Sequence, residues 1–585
     1  MQDGPALQAL RQWLLVVALV LGGWYITWRW TSSLNWDALW FAIPLVIAET
    51  GAYIGLLLFG FNLWKTKDYP RQEPPRSIAE CVPEGHGEDR PVKVDVFFAT
   101  YSEDPELVRL SLRDAKQVRA PNGAIVEIFV LDDGRRPAMR QVAEEEGVNY
   151  LSRSSNVGFK AGNLRHAMEQ THGDFILICD ADTRPFPTIL ERTLGYFRDP
   201  MVAWVQTPQW FYDVPQGRRL PEAWARWGGP LGRGLGRIIE RVMGEIHVGQ
   251  DPFVNDPKMF YDILMRRRNP YNASFCCGAG SIHRRDAVMQ AALKTWTEQV
   301  EVEGQQRMKA MQRLTGETST SPDAERALMQ QVAVDEEFTP YKFHVSEDIY
   351  TSIVLHADGW KSVMHPDVES KMLSPQDLLT WTIQRFKYAG GTLDIALHDN
   401  PLMRPGLNWR QRLMYAATVW SYLGGLWNVV FLVSPLIYLF TAVAPVSAYS
   451  MDFYKHILPF IVMTELAFMA SYWGISSFQA KANYVSFFPV NLQAIWTVLK
   501  GEKIKFPVTP KERQSGNFLR LVWPQASVIV LSILGLVFGW CAYLFFHTDH
   551  HIDGLLVNTF WCIHNIWLLH RIVWAAFWQP SDSDD

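Results

Sequence analysis

The sequence predicts a helix-covered parallel β-sheet domain inserted between two groups of membrane-spanning helices. Three observations lead there. Apolar residues are segregated: long runs occupy 12–30 and 38–62, an ordinary soluble composition fills about 90–400, and runs return at about 419–443, 455–475, 522–546 and 554–577. Each run is long enough for a bilayer, which takes ~20 residues. Within the soluble part, short β-rich apolar runs alternate with helical patterns, the signature of a parallel sheet. Three successive strand runs then end in acidic residues.

The spans divide as two before the soluble part and four after it. The first run lacks a small-residue cleavage site and a second span follows at once, so it reads as a span and not as a cleaved signal. The link 31–37 has no Lys or Arg, whereas Lys65, Lys67, Arg71 and Arg76 follow the second span. The positive-inside rule therefore puts 65–400 in the cytoplasm. Arg11 agrees; Arg29, near the outer end, does not fit. A net charge of -5 gives no nucleic-acid footprint. The six cysteines show no paired metal spacing and are expected as free thiols.

Element by element, 92–99 and 125–131 read as buried strands, 107–118 and 137–146 as helices, 150–151 as a short strand, 163–170 as a helix and 175–179 as a strand. In open α/β sheets, ligands bind outside the carboxyl ends of the strands. That edge receives Thr100, Tyr101 and Glu103 from the first strand, Asp132 and Asp133 from the second, and Asp180 and Asp182 from the third. Turn chemistry explains any one of these alone. Several carboxylates on one rim are costly unless a cation neutralises them. Hard oxygen ligands suit Mg²⁺ or Mn²⁺, bound through one or two carboxylates plus substrate phosphates. A nucleotide-diphosphate donor fits such a rim.

Nine short motifs then occur in a fixed order, among them "VLDDGRRP" (130–137), "NVGFKAGNL" (156–164), "CDADTRP" (179–185), "FCCGAGSIHRR" (275–285), "SEDIYTS" (346–352), "QRFKY" (384–388) and "FPVTPK" (506–511). With the flanking spans, they resemble the membrane-embedded, processive glycosyltransferases of family 2, typified by bacterial cellulose synthase. The resemblance implies a GT-A-like nucleotide-sugar domain at 90–372 docked on a channel, in the bacterial inner membrane with its catalytic domain cytoplasmic. It further implies that Thr100, Tyr101 and Glu103 hold uracil and ribose, with Asp132 and Asp133 as further nucleoside contacts. Lys160 would pair with the donor phosphate or with nearby acidic groups, and Asp180 and Asp182 would face the metal, Asp182 as its direct ligand. Asp348 would be the catalytic base, with adjacent Glu347 as the alternative. Cys277, Gln384, Arg385, Lys387 and Tyr388 would border the acceptor and diphosphate. Where the family has Arg then Trp, this chain has Lys387 and Tyr388. Charge and an aromatic face are kept, but the planar fork is lost. The exact linkage is thereby left open.

On the membrane side, 1–65 is expected to hold two spans and 413–585 about four. Residues 373–412 have amphipathic spacing that suits interfacial helices. The basic segment 500–513 resembles the family's gating loop, with Phe506, Val508, Thr509 and Lys511 matching. The polar insert 291–343 reads as a helical hairpin or a lid. After the last span only "QPSDSDD" remains, so control by a C-terminal cyclic-dinucleotide domain is not expected within this chain. The expected activity is processive, inverting polymerisation of UDP-glucose into a β-linked glucan, with the growing polysaccharide as acceptor, the bilayer as surroundings and export partners in the periplasm. The alternatives are an N-acetylhexosamine polymer synthase of the hyaluronan, chitin or poly-N-acetylglucosamine type, a non-processive lipid-carrier glycosyltransferase, and a channel with a regulatory nucleotide domain.

Overall fold

The computed structural model describes every residue except 1–3, 214–216, 249–257, 316–321, 336–345, 376, 476, 503–517, 547 and 579–585. At its centre is a seven-stranded sheet. Its strands are β1 (Lys93–Thr100), β2 (Ile125–Asp132), β3 (Asn149–Leu151), β4 (Phe175–Asp180), β5 (Val202–Gln206), β6 (Ser281–Arg284) and β7 (Lys361–Met364), in the order β7-β5-β6-β4-β1-β2-β3. β1 and β4 are apolar runs almost wholly buried between two helical layers, and β2 is buried over its second half, Phe129–Asp132. Local signals fix the covering helices. Asp104 caps Pro105–Ala115 by accepting the Glu106 amide at 3.0 Å, and Pro137–Glu146 stops at left-handed Gly147.

The strands read from the sequence, β1 to β4, pair in parallel as expected, and the strands added beyond β4 make the sheet mixed. β6 runs antiparallel to both β4 and β5. The reason is directional: the chain reaches β6 from a loop at the carboxyl rim, and must run back down from it. Ser281 accordingly lies opposite Ile178 at the top and Arg284 opposite Phe175 at the bottom.

Among the described residues, six helices are long and apolar enough to cross a membrane: Pro5–Ser32, Trp36–Leu63, Trp409–Thr441, Met451–Ser471, Trp523–Phe545 and Ile552–Ala575. The chain is a multi-pass membrane protein with its α/β domain between the second and third spans. The third span starts ahead of its apolar run, fixed by an Asn408–Gln411 capping box. Residues 409–418 are thus the first turns of that span, where a separate interfacial helix was expected. Leu378–His398 is a separate helix, capped by Asp377. Its Ala389 and Leu393 pack on Ala494 and Val498 of Phe488–Leu499, a helix too short to register as a span. In the polar insert, Arg285–Thr315 and Pro322–Asp335 pack as helices where Gly304 meets Met329.

Arg29 loses its awkwardness in three dimensions. Its Nε lies 2.7 Å from Glu49 of the second span and its Nη1 donates to Ser33 Oγ at 2.6 Å, while Tyr25 donates to Glu49 at 3.0 Å. A paired arginine is no topology signal. Glu49→Ala strands a buried charge, which typically costs ~3–5 kcal/mol; thermal melting of the detergent-solubilised protein should show a markedly lower midpoint.

Candidate active site

The parallel register builds one rim from three strand ends. Thr100 is partnered by Asp132, and Ala99 by Asp180. After β1 the chain winds a tight turn around Glu103, whose Oε2 accepts the Thr100 hydroxyl at 2.8 Å and the Tyr101 and Ser102 amides at 2.8 and 3.2 Å. Tyr101 is left exposed beside the cleft.

The two carboxylates after β2 are committed to shaping this rim. Buried Asp132 accepts from the Gly134 and Arg136 amides, from Arg136 Nε and from the Tyr150 hydroxyl. Arg136 also donates to Thr100 Oγ1 at 2.7 Å, which ties the first two strand ends together. Asp133 holds Arg153 in a two-pronged pair at 2.6 and 2.7 Å. Sequence reasoning missed Arg136 and Arg153. The consecutive arginines in "DDGRRP" hinted at the first; nothing local hinted at the second.

At the β4 end, the turn is pinned from several sides. The Asp180 amide donates to Thr183 Oγ1 at 3.0 Å, and Ser111 Oγ donates to the Ala181 carbonyl at 3.0 Å. Asp180 opens to the cleft, where Lys160 Nζ stands 2.7 Å away. Asp182 is enclosed. Burial works against the charge on Lys160, but Asp180, Asp348 and Glu347 outweigh it and hold the amine above its ordinary pKa.

Lys160 thereby faces a second acidic pair. Glu347 and Asp348 occupy the first turn of helix Glu347–Ala357, a rigid mount whose dipole suits acidic groups. Burial raises the pKa of both carboxyls. For Asp348, Lys160 opposes the rise and Asp180 adds to it; for Glu347, the Asp348 charge adds to it.

The loop before β6 is fastened onto this helix. Ser352 Oγ donates to the Asp348 carbonyl at 2.7 Å and accepts the Cys276 amide at 2.8 Å. Gln206 accepts the Cys277 amide at 2.7 Å and donates to the Ala279 carbonyl at 3.1 Å. Behind the loop, Ser281 meets buried His283 at 2.9 Å. Burial pushes that imidazole down to about 3 and the Cys276 thiol up to about 12, and both are packed against the loop they support. Gln206 and Ser352 lie inside the motifs "VQTPQWF" (205–211) and "SEDIYTS" (346–352), but sequence reasoning gave neither a role.

Gly278 completes the seat of Asp348. Its φ is +82°, and a Cβ there would stand 2.9 Å from Asp348 Oδ2. Gly278→Ala should therefore strain the turn and displace the carboxylate. Since ~1 Å of misplacement can cost about 10²-fold in rate, any steady-state turnover that uses this carboxylate should show kcat reduced by about that factor, with KM little changed.

The residues expected to border the acceptor lie nearby. Cys277, Tyr388 and Asp348 all act electrostatically on Tyr261, and burial pushes the Tyr388 phenol up to about 12. Tyr388 nevertheless keeps 45% of its surface open; it lines a space. Gln384, Arg385 and Lys387 lie part-buried on the same helix, with Arg385 over the rings of Trp381 and Phe487 at 5.7 and 5.2 Å. Ser346, just before the acidic pair, presses on Gly391 of that helix. Phe506, Val508, Thr509 and Lys511 lie outside the described residues.

Among the described residues no cluster of three or more His, Cys, Asp or Glu could hold a metal unaided. The donor set at the β4 end is two carboxylates. That fits a hard divalent ion completing its shell with phosphate oxygens and water.

Comparison with known proteins finds similarity over most of the chain. Residues 95–291 match the model for "Glycosyl transferase family 2", and 257–475 that for "Glycosyl transferase family group 2". The cellulose synthase catalytic subunit [UDP-forming] of Pseudomonas fluorescens (strain SBW25) is 27% identical, over 96% of this chain and 66% of that protein. The cellulose synthase 1 catalytic subunit [UDP-forming] of Komagataeibacter xylinus is 26% identical, over 94% and 64%. The chain thus spans somewhat less than two thirds of these relatives. Among solved structures, a mannosyltransferase from Pyrobaculum calidifontis, in complex with GDP-Man and Mn2+, aligns at 12% identity and a TM-score of 0.42, covering 78% of this chain and 99% of that one.

Proposed function

We propose that this chain, a cellulose-synthase-like member of the family 2 glycosyltransferases, polymerises UDP-glucose into a β-linked glucan by inverting transfer and feeds the product through its own bundle of spans. The observation that carries this reading is the convergence of Asp348, Cys277, Tyr388 and the Lys160–Asp180 pair at one sheet edge, against a helix that packs on the membrane half. The UDP-forming relatives support the choice of donor.

In this reading, Tyr101 and the turn on Glu103 receive the nucleoside, within the frame set by Asp132–Arg136 and Asp133–Arg153. Lys160 offers its charge to the diphosphate. Magnesium or manganese held by Asp180 and Asp182 would neutralise charge developing on the leaving diphosphate. Asp348 takes the proton from the acceptor hydroxyl as that oxygen's electron pair attacks the anomeric carbon; the bond to the diphosphate breaks and UDP leaves with its electron pair. Tyr388 offers an aromatic face to the terminal sugar, and Gln384, Arg385 and Lys387 border it. The catalytic domain lies on the cytoplasmic side of the inner membrane, where sugar nucleotides are made, and the glucan passes to export partners beyond.

Purified membranes supplied with radiolabelled UDP-glucose or UDP-N-acetylglucosamine test this. The expected result is a long polymer from UDP-glucose alone, with β-linkages on methylation analysis. A polymer from UDP-N-acetylglucosamine alone, or lipid-linked single sugars, would overturn the proposal.

A further inference from the structure

Residues 218–248 form an excursion that the active site does not use. Its base is a two-stranded ribbon, Arg218–Arg219 against His247–Val248, closed by Arg219 pairing with Glu240 at 2.7 Å and Glu245 at 3.1 Å. Between the strands, the helix Leu220–Met243 is broken at Gly229, at φ 53° and ψ -136°. A side chain would resist that backbone. Pro230 then opens the second arm, which folds back on the first. A Cβ at Gly236 would stand 2.6 Å from Pro221 Cα, and one at Gly232 would meet the Trp224 carbonyl. The result is a built helical hairpin.

Its outer surface is apolar. Trp224, Trp227, Leu231, Leu235 and Ile238 are exposed, Trp227 by 94% and Leu231 by 74%. The last three share one helix stripe by their spacing, and Trp227 and Leu231 flank the Gly229–Pro230 bend. Exposed Arg233, Arg237 and Arg241 follow on the flank. Residues 218–243 hold six arginines against two glutamates, in a chain of net charge -5. An exposed apolar surface of this kind marks a contact site.

Two observations favour a lipid surface as the partner. One is charge: arginines beside tryptophans suit anionic headgroups over an apolar layer. The other is position. The Gly474 amide donates to the Met243 carbonyl at 2.6 Å, and Gly244 rests against Gly474 and Trp473. Those residues directly follow the span Met451–Ser471, at the end that returns to the side of the catalytic domain. The hairpin is rooted at the bilayer surface.

We propose that the hairpin is a surface anchor. Its Trp227–Leu231 tip enters the headgroup layer of an anionic leaflet, and Arg233, Arg237 and Arg241 engage lipid phosphates. The anchor holds the catalytic domain at a fixed attitude to the membrane. This rests on the membrane spans and the hairpin alone, and stands whichever sugar is polymerised.

The test uses the full chain in nanodiscs, one copy per disc, with Leu231→Cys carrying an environment-sensitive fluorophore and the parent chain labelled identically as background. Lipids bearing a headgroup-level nitroxide should quench the label severalfold more in discs containing phosphatidylglycerol than in phosphatidylcholine alone. Adding Arg233→Glu, Arg237→Glu and Arg241→Glu should erase the difference. UDP release in detergent serves as the folding control. No quenching in either disc, or equal quenching in both, would overturn the proposal. So would label–label contact that grows with protein concentration in detergent and is absent in discs without quenching, since that marks a second copy as the occupant.

Discussion

Asp348→Asn should reduce polymer synthesis by about 10³-fold, within the range that a positioned general base contributes, while UDP-glucose binding is largely retained. Glu347→Gln should keep most of the activity. The contrast follows from the electrostatics. Burial and the adjacent Asp348 charge raise the Glu347 pKa, which favours its protonated form, and glutamine imitates that form. Asp348 is also raised by burial, but Lys160 opposes the shift and favours the carboxylate. A base acts when deprotonated. Activity should therefore be present above the raised Asp348 pKa and be lost as pH falls through it, placing the acid limb of kcat/KM above the ordinary carboxylate range. Inactive Glu347→Gln beside active Asp348→Asn would transfer the role of base to Glu347.

The second large effect expected is from removing the divalent cation. Chelation with EDTA should stop turnover, and Mg²⁺ or Mn²⁺ should restore it. Charge neutralisation worth several kcal/mol implies a loss of about 10²-fold or more. Calorimetric titration with UDP gives a reading independent of turnover: affinity should depend on the cation in the parent chain and lose that dependence in Asp180→Ala and in Asp182→Ala. The geometry sharpens the comparison, since Asp180 opens to the cleft beside Lys160 whereas Asp182 is enclosed below it. Full UDP affinity and turnover in EDTA would remove the cation from the account.

Much of this architecture was legible in the chain because burial and periodicity announce it. β1, β2 and β4 are long apolar runs, and their parallel order brings Thr100, Asp132 and Asp180 to one edge without knowledge of any side-chain contact. β6 escaped notice because "SIHR" has the composition of a loop. Its arginine is buried only because the Arg284 guanidinium donates to the Val202, Cys81 and Phe197 carbonyls, partners scattered across the chain. The roles of Arg153, Gln206 and Ser352 were missed for a similar reason: each has a partner far along the chain, in Asp133, Cys277 and Cys276 respectively. Arg29 misled in the opposite sense, reading as a topology charge until Glu49 was seen beside it. In the hairpin, the run "WGGPLGRGLG" reads as loop; its glycines are where two helical arms touch.

The most direct measurement places the chain in proteoliposomes with UDP-glucose outside only, and asks where the product is. The account predicts UDP released outside and long glucan inside, resistant to added β-glucanase until detergent opens the vesicles. Glucan digested at once from outside, or UDP release with only single-sugar products, would contradict the coupling of one catalytic rim to one membrane passage.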